Sequence, residues 1–253
     1  MQQMTRKALE WIRKGRALVA AEAERVGFDA RTTVIIACAI VAIALPWYHE
    51  DKNWFSSLLS WIGGPSLVSL AKRYAIDYTF VIRVGLPLLA IFALREKFRD
   101  FGLGLGNIKT GLKICLVFYL LYIPCFIVLF LDSGFREYYS GVTHYATWGQ
   151  FCQTEILVVV FLSIREEFLY RGFILFGIQK KYGAYVGILA QVFPYVLMHL
   201  GKPEMEALGS LPVGLALGYC AARTGSIWYG AVMHGSIALM FNAAILLLHF
   251  MGH

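Results

Sequence analysis

Glu166, Glu167 and Arg171 sit in a run that is otherwise hydrocarbon, with apolar residues at 156–162 and again at 172–176. Two histidines, His199 and His234, stand inside later apolar runs. Ionisable groups at membrane depth are costly, so they mark a functional site by default. On a helix, Glu167 and Arg171 lie one turn apart on one face, acid before base, which suits a fixed ion pair. Glu166 is turned about 100° around the helix from Glu167 and meets different surroundings. A carboxylate and two imidazoles in a wet pocket suit hydrolysis. Glu166 takes a proton from water and passes it to a leaving amine. One histidine holds that water and the other donates to the developing oxyanion. The same trio could instead hold zinc, although the HExxH spacing is absent; no metal or other cofactor is expected, with zinc as the alternative.

The elements that must position these groups are hydrophobic helices. Of 253 residues, 58% are hydrophobic and only 15% charged, against about 25% charged in a soluble domain. That composition describes an all-α, polytopic transmembrane bundle. Candidate spans cover residues 33–47, 78–94, 112–131, 150–178, 184–200, 208–222 and 226–249, with a broken segment at 54–70 that reads as interfacial or re-entrant. The total is about seven spans, or eight if 54–70 crosses. Residues 1–30 read as an amphipathic helix, with Leu9, Ile12, Leu18 and Val19 set against Arg6, Lys7, Arg13, Lys14 and Arg16. Residues 31–253 form one membrane domain, with the reactive core at about 150–242. Pro46-Trp47-Tyr48 is expected to anchor the first span at the interface. Counted at about 1.5 Å per residue from the inferred helix ends, Glu166 lies about 18 Å deep, His199 about 24 Å and His234 about 12 Å. Helix tilt absorbs those differences, and one midplane pocket holds all three.

Charge sets the orientation. The net charge of +7 collects in short loops: Arg95, Lys97, Arg99, Lys109 and Lys113, then Lys180 and Lys181. These loops and the N-terminus are expected on the cytoplasmic side, and the polar loop 132–147 on the far side. Phe101-Gly102-Leu103-Gly104-Leu105-Gly106 reads as a flexible turn, since no strand–turn–helix context makes it a phosphate loop. Asp77 is expected to pair with a nearby lysine or arginine. No basic patch interleaved with aromatics suggests a nucleic-acid surface, and the five cysteines show no CxxC pair.

Three motifs together resemble a known family. Glu166-Glu167-x-x-x-Arg171 is similar to the EExxxR motif of the CAAX protease and bacteriocin-processing family, also called Abi. Tyr195-x-x-x-His199 resembles the second motif, with tyrosine where phenylalanine is usual. His234, preceded by Thr224-Gly225-Ser226-Ile227-Trp228, resembles the third. The resemblance covers about residues 150–242. It implies glutamate-dependent intramembrane proteolysis, in which Glu166 activates water with His199 and His234 helps stabilise the oxyanion. One departure stands out: four residues after His234, where the family often has Asn or Asp, this chain has Ala238. Asn242, a turn further on, Tyr195 and Ser236 are the remaining candidates for contacts to substrate or oxyanion. Presenilin-type GxGD and rhomboid-type GxSG motifs are absent.

The sequence therefore points to an integral membrane endopeptidase of the glutamic type, placed in a bacterial inner membrane and acting on a protein or peptide within lipid. The alternatives are a non-catalytic immunity or scaffold protein that binds peptide, and a proton-coupled transporter.

Overall fold

The computed structural model describes residues 2–27, 29–48, 53–73, 77–142, 147–152 and 156–251, and over these it is all-helical. We number the helices α1 (Gln2–Arg25), α2 (Ala30–Tyr48), α3 (Asn53–Arg73), α4 (Tyr78–Ala93), α5 (Ile108–Leu131), α6 (Ser133–Val142), α7 (Ile156–Glu167), α8 (Phe176–Leu197), α9 (Glu204–Thr224) and α10 (Trp228–Phe250). By length and apolarity, α5, α9 and α10 can each cross a membrane; the bent pair Arg13–Arg25 and Ala30–Pro46, at 87°, would add a fourth. The other candidates are shorter or interrupted. α3 is kinked at Gly64, and α8 breaks at Gly183, whose φ of +83° only glycine adopts without strain. Against the seven or eight expected crossings, the described residues thus give three helices long and apolar enough to cross, or four with the bent pair. On α5, Leu112, Leu116, Leu120 and Leu121 are exposed, as a lipid-facing surface requires.

Ion pairs and hydrogen bonds gather the basic loops at one end of the bundle. Glu96 receives Arg31 at 2.7 Å and Lys180 at 2.6 Å, and Arg31 also donates to the Gly177 carbonyl. Asp29 starts α2 by accepting from the Thr32 N–H at 2.6 Å, and it pairs with Lys181 at 2.7 Å. The Lys181 hydrogen bond, helped by the Thr32 N–H, holds the Asp29 carboxyl down to about 2. A depressed folded-state value stabilises above the unfolded value, so this contribution persists at neutral pH and fades only as pH falls from about 4 toward 2. On α1, the side chains of Trp11, Arg13, Lys14, Leu18 and Val19 are exposed; those of Leu9, Ile12, Arg6, Lys7 and Arg16 lie outside the described set, as do Trp47 and Tyr48 of the expected anchor.

Two expected loops are more ordered than their composition suggests. Within 132–147, residues Ser133–Val142 form α6, because Asp132 accepts from the Phe135 N–H at 2.7 Å and so caps the helix. One turn apart, Phe135 and Tyr139 pack on Phe241 of α10, at ring separations of 4.6 and 5.2 Å. Residues 143–146 lie outside the described set. The glycine-rich turn is pinned rather than flexible. Its carbonyls accept from the Ile227 N–H (Gly102), the Trp228 indole (Leu103) and the Tyr229 hydroxyl (Leu105), and the Asn107 N–H donates to Thr224. The glycines let the backbone approach closely enough for these bonds, which fix the start of α10.

At Gly106 (φ +56°) an added Cβ would run into the Thr224 carbonyl, whereas at Gly104 it would meet open space. Gly106→Ala is therefore expected to destabilise the fold by about 2 kcal/mol or more. Thermal unfolding in detergent should show a clear drop in midpoint for Gly106→Ala and little change for Gly104→Ala.

Candidate active site

The charged stretch closes α7 and runs directly into a π-helical segment, Phe168–Leu175, before α8 begins. A second π-helical stretch, Val81–Gly85, lies inside α4. Widened turns of this kind recur at functional sites because they redirect side chains that a regular helix would stack. Here the first carries Tyr170 and Arg171, and the second carries Arg83. The break near the charged motif is thus a change of helical pitch.

Glu167 and Arg171 form the expected pair, 2.9 Å apart and both fully buried. The same oxygen, Oε1, lies 3.0 Å from Nδ1 of His234 on α10. α10 comes this close because Gly230 faces Glu167; a Cβ there would collide with Oε2. Gly235 repeats the arrangement against Ser163, where an added Cβ would lie 2.9 Å from the hydroxyl. Small residues at a helix crossing allow such close approach in membranes. The Arg171 guanidinium also stacks 4.3 Å above the Tyr195 ring, a favourable contact when desolvated. Tyr195 in turn lies 4.6 Å from the His199 ring and 6.1 Å from that of His234.

His199 follows directly on the end of α8, and its Nδ1 is 2.8 Å from the Tyr195 carbonyl. A carbonyl and a carboxylate can only accept, so Nδ1 carries the hydrogen in both histidines. Nε2 is then the lone-pair nitrogen of each neutral ring.

Glu166 takes a separate direction, as its position on the helix predicts. It accepts from Arg83 Nη1 at 2.7 Å and from Arg165 Nε and Nη2 at 3.0 and 2.8 Å, all on Oε1. Arg165 also donates to the Thr79 hydroxyl at 2.8 Å and lies 3.7 Å from Asp77, which thereby finds the basic partner expected for it. Three guanidiniums (Arg83, Arg165, Arg171) thus face three carboxylates (Asp77, Glu166, Glu167). Such pairing is what lets charges persist at low dielectric.

A cavity of about 250 Å³ is lined by Arg83, Glu166, Tyr195, His199, His234 and Ala238, among others. The three residues singled out for hydrolysis therefore share one cavity. Ala238 stands in its wall; Asn242, one turn on, is not among the lining residues. Ser236 is engaged with the Tyr119 hydroxyl at 2.7 Å, and Ser226 accepts from the Trp228 N–H. Among the described residues, no three His, Cys, Asp or Glu side chains converge closely enough to hold one metal ion. Sequence reasoning overlooked Arg83 as a partner of Glu166. The available signal was an arginine inside an apolar run, which membrane energetics flags without naming its partner.

Residues 148–240 match the family model described as type II CAAX prenyl endopeptidase Rce1-like. No curated protein and no solved structure matches the chain.

Removing one member of a buried ion pair strands the other. Glu167→Ala and Arg171→Ala are each expected to destabilise the fold by about 3–5 kcal/mol. Thermal or denaturant unfolding in detergent checks this. If the pair stabilises as a unit, the double variant should fall well short of the sum of the two single losses.

Proposed function

We propose, from the match of residues 148–240 to the Rce1-like family model, that the chain is an intramembrane endopeptidase of the glutamic type. The observation that carries this reading is the single cavity lined by Glu166, His199 and His234. The described contacts of Glu166 fall on Oε1, which leaves Oε2 for a water molecule. Glu166 removes a proton as that water attacks the peptide carbonyl carbon, with Nε2 of His199 helping to hold the water. His234, its ring held at Nδ1 by Glu167, helps to stabilise the oxyanion. Glu166 then passes its proton to the amide nitrogen, the C–N bond breaks, and a carboxylate and an amine leave. Glu167 and Arg171 act through His234 and Tyr195 rather than on the substrate. No metal takes part in this scheme. The substrate is a protein or peptide held at the membrane, and the membrane is a bacterial inner membrane with the basic end of the bundle and the N-terminus on its cytoplasmic side.

A second reading is favoured by Ala238 and by the two arginines on Glu166: a pocket that binds a peptide without cutting it, as in an immunity protein. The two readings separate on one variant. Glu166→Gln retains an acceptor for Arg83 and Arg165 but cannot serve as a base, so cleavage should fall by about 10²–10⁴-fold. The measurement compares chain termini across the membrane proteomes of cells carrying the parent, Glu166→Gln and no copy, with the melting temperature as a folding control. Processing undiminished in Glu166→Gln would sink the peptidase reading. Ala238→Asn supplies an extra donor at the cavity wall and is expected to raise the cleavage rate, by up to about a hundredfold.

A further inference from the structure

The cavity holding Glu166 does not end at its own walls. On the other side of His199, His234 and Ala238 lies an adjoining cavity of about 120 Å³, faced by Tyr122, Tyr139, Glu206 and Phe241. Beyond that is an open hollow of about 480 Å³, lined by Asp132, Gly134 and Tyr138 at the start of α6 and by Gly201, Pro203 and Glu204 after α8. Lys202 lines all three spaces.

Lys202 is held as part of a bar. Its Nζ lies 2.6 Å from Glu206 Oε1, and Glu206 Oε2 accepts from the Tyr139 hydroxyl at 2.8 Å. The bar joins the turn after α8, the first turn of α9 and α6. All three of its side chains line the adjoining cavity, and Lys202 lines the open hollow as well. α6 is attached through Phe135 and Tyr139 against Phe241, so rupture of one hydrogen bond at Tyr139 frees that end of the bar without unmaking a helix.

The position of the hollow fixes which face it serves. α5 begins at Ile108, beside the basic loops, and ends at Leu131, so Asp132 and the hollow lie at the opposite end of the bundle. α8 runs the same way, from Lys180 and Lys181 toward His199. The basic loops belong on the cytoplasmic side by the positive-inside rule.

We propose that the active-site cavity is entered from the non-cytoplasmic face, past the Tyr139–Glu206–Lys202 bar, and that its substrate is an unfolded polypeptide segment presented from that face. This rests on the peptidase reading for the word substrate, but the route itself does not depend on turnover. A path that passes between two side chains admits water and a single extended strand, and it excludes a folded domain. The acidic rim formed by Asp132 and Glu204 lies outermost, and the guanidiniums of Arg83 and Arg165 lie innermost.

The test is side-specific thiol labelling. Ala238→Cys places a thiol in the wall shared by the two inner spaces, and Met198→Cys places one beside Arg83; the second guards against a folding defect in the first. Sealed vesicles of known orientation are treated with a charged, membrane-impermeant methanethiosulfonate. Modification is then mapped residue by residue by peptide mass spectrometry, with the five native cysteines left in place. The introduced thiols should react when the reagent is on the non-cytoplasmic face and not when it is on the cytoplasmic face. Adding Tyr139→Phe, which removes a hydrogen bond to a charged group, should speed the reaction by about tenfold. Reaction from the cytoplasmic face alone, or equally from both, would overturn the proposal. So would reaction only with a lipid-soluble maleimide, which would mean lateral entry from the bilayer. Labelling needs no turnover, so it stands or falls separately from the cleavage assay on Glu166→Gln.

Discussion

The structure turns on the Glu167–Arg171 ion pair, which has no exposure to solvent. Bringing two charges out of water carries a desolvation penalty of several kcal/mol per ion, repaid only when geometry and additional partners are good. Each neighbouring feature supplies part of that return. Gly230 lets α10 reach the carboxylate, and His234 adds a donor to its Oε1. Tyr195 offers its ring face to the guanidinium, and Gly214 makes room for Tyr195, since a Cβ there would lie 2.8 Å from the ring. Glu167 Oε2 and two nitrogens of Arg171 are nonetheless buried with no hydrogen-bond partner in the described structure. The pair is therefore an expensive way to hold helices together. Its value lies in orientation: one carboxylate oxygen sets the ring position and hydrogen of His234, while the guanidinium holds the tyrosine beside His199.

Glu166 and Glu167 are sequence neighbours with opposite fates, and the difference is geometric. The turn between adjacent helical residues sends Glu167 into the α10 interface and Glu166 toward α4, where Arg83 waits. Arg83 and Arg165 converge on a single oxygen of Glu166, which immobilises the carboxylate. Two π-helical stretches flank this arrangement, one holding Arg83 and the other beginning at Phe168. In a regular helix the groups on either side of the motif would point elsewhere, so the pitch change is part of how the two acids are kept apart.

How much of this was legible in the sequence follows from the range of each interaction. The Glu167–Arg171 pair was legible because it is local, four residues apart on one helix. The meeting of Glu166, His199 and His234 was legible because charged and titratable groups in apolar runs have few places to go. Arg83 was not, because its partner lies on a helix far away in the chain, and one sequence carries no information on which helices touch. α6 was missed for a different reason. Its polar composition resembles a loop, and only the Asp132 cap with Phe135 and Tyr139 one turn apart marks the helix. The glycine turn was misjudged because glycine supplies freedom in isolation, whereas here Ile227, Trp228 and Tyr229 donate to its carbonyls and remove that freedom.

The proposed hydrolysis inside a bilayer imposes two opposed demands: water must reach the scissile bond, and the groups that activate it must be held by a dry scaffold. The chain separates these demands along its length. The dry half lies where α7, the π-helical segment and α10 pack through Gly230 and Gly235, burying Glu167 and Arg171. The open half lies where α8 stops at Leu197, so that His199 faces the two inner cavities, and the turn through Gly201 and Lys202 faces the outer hollow. The early end of α8 is what leaves the His199 imidazole beside open volume.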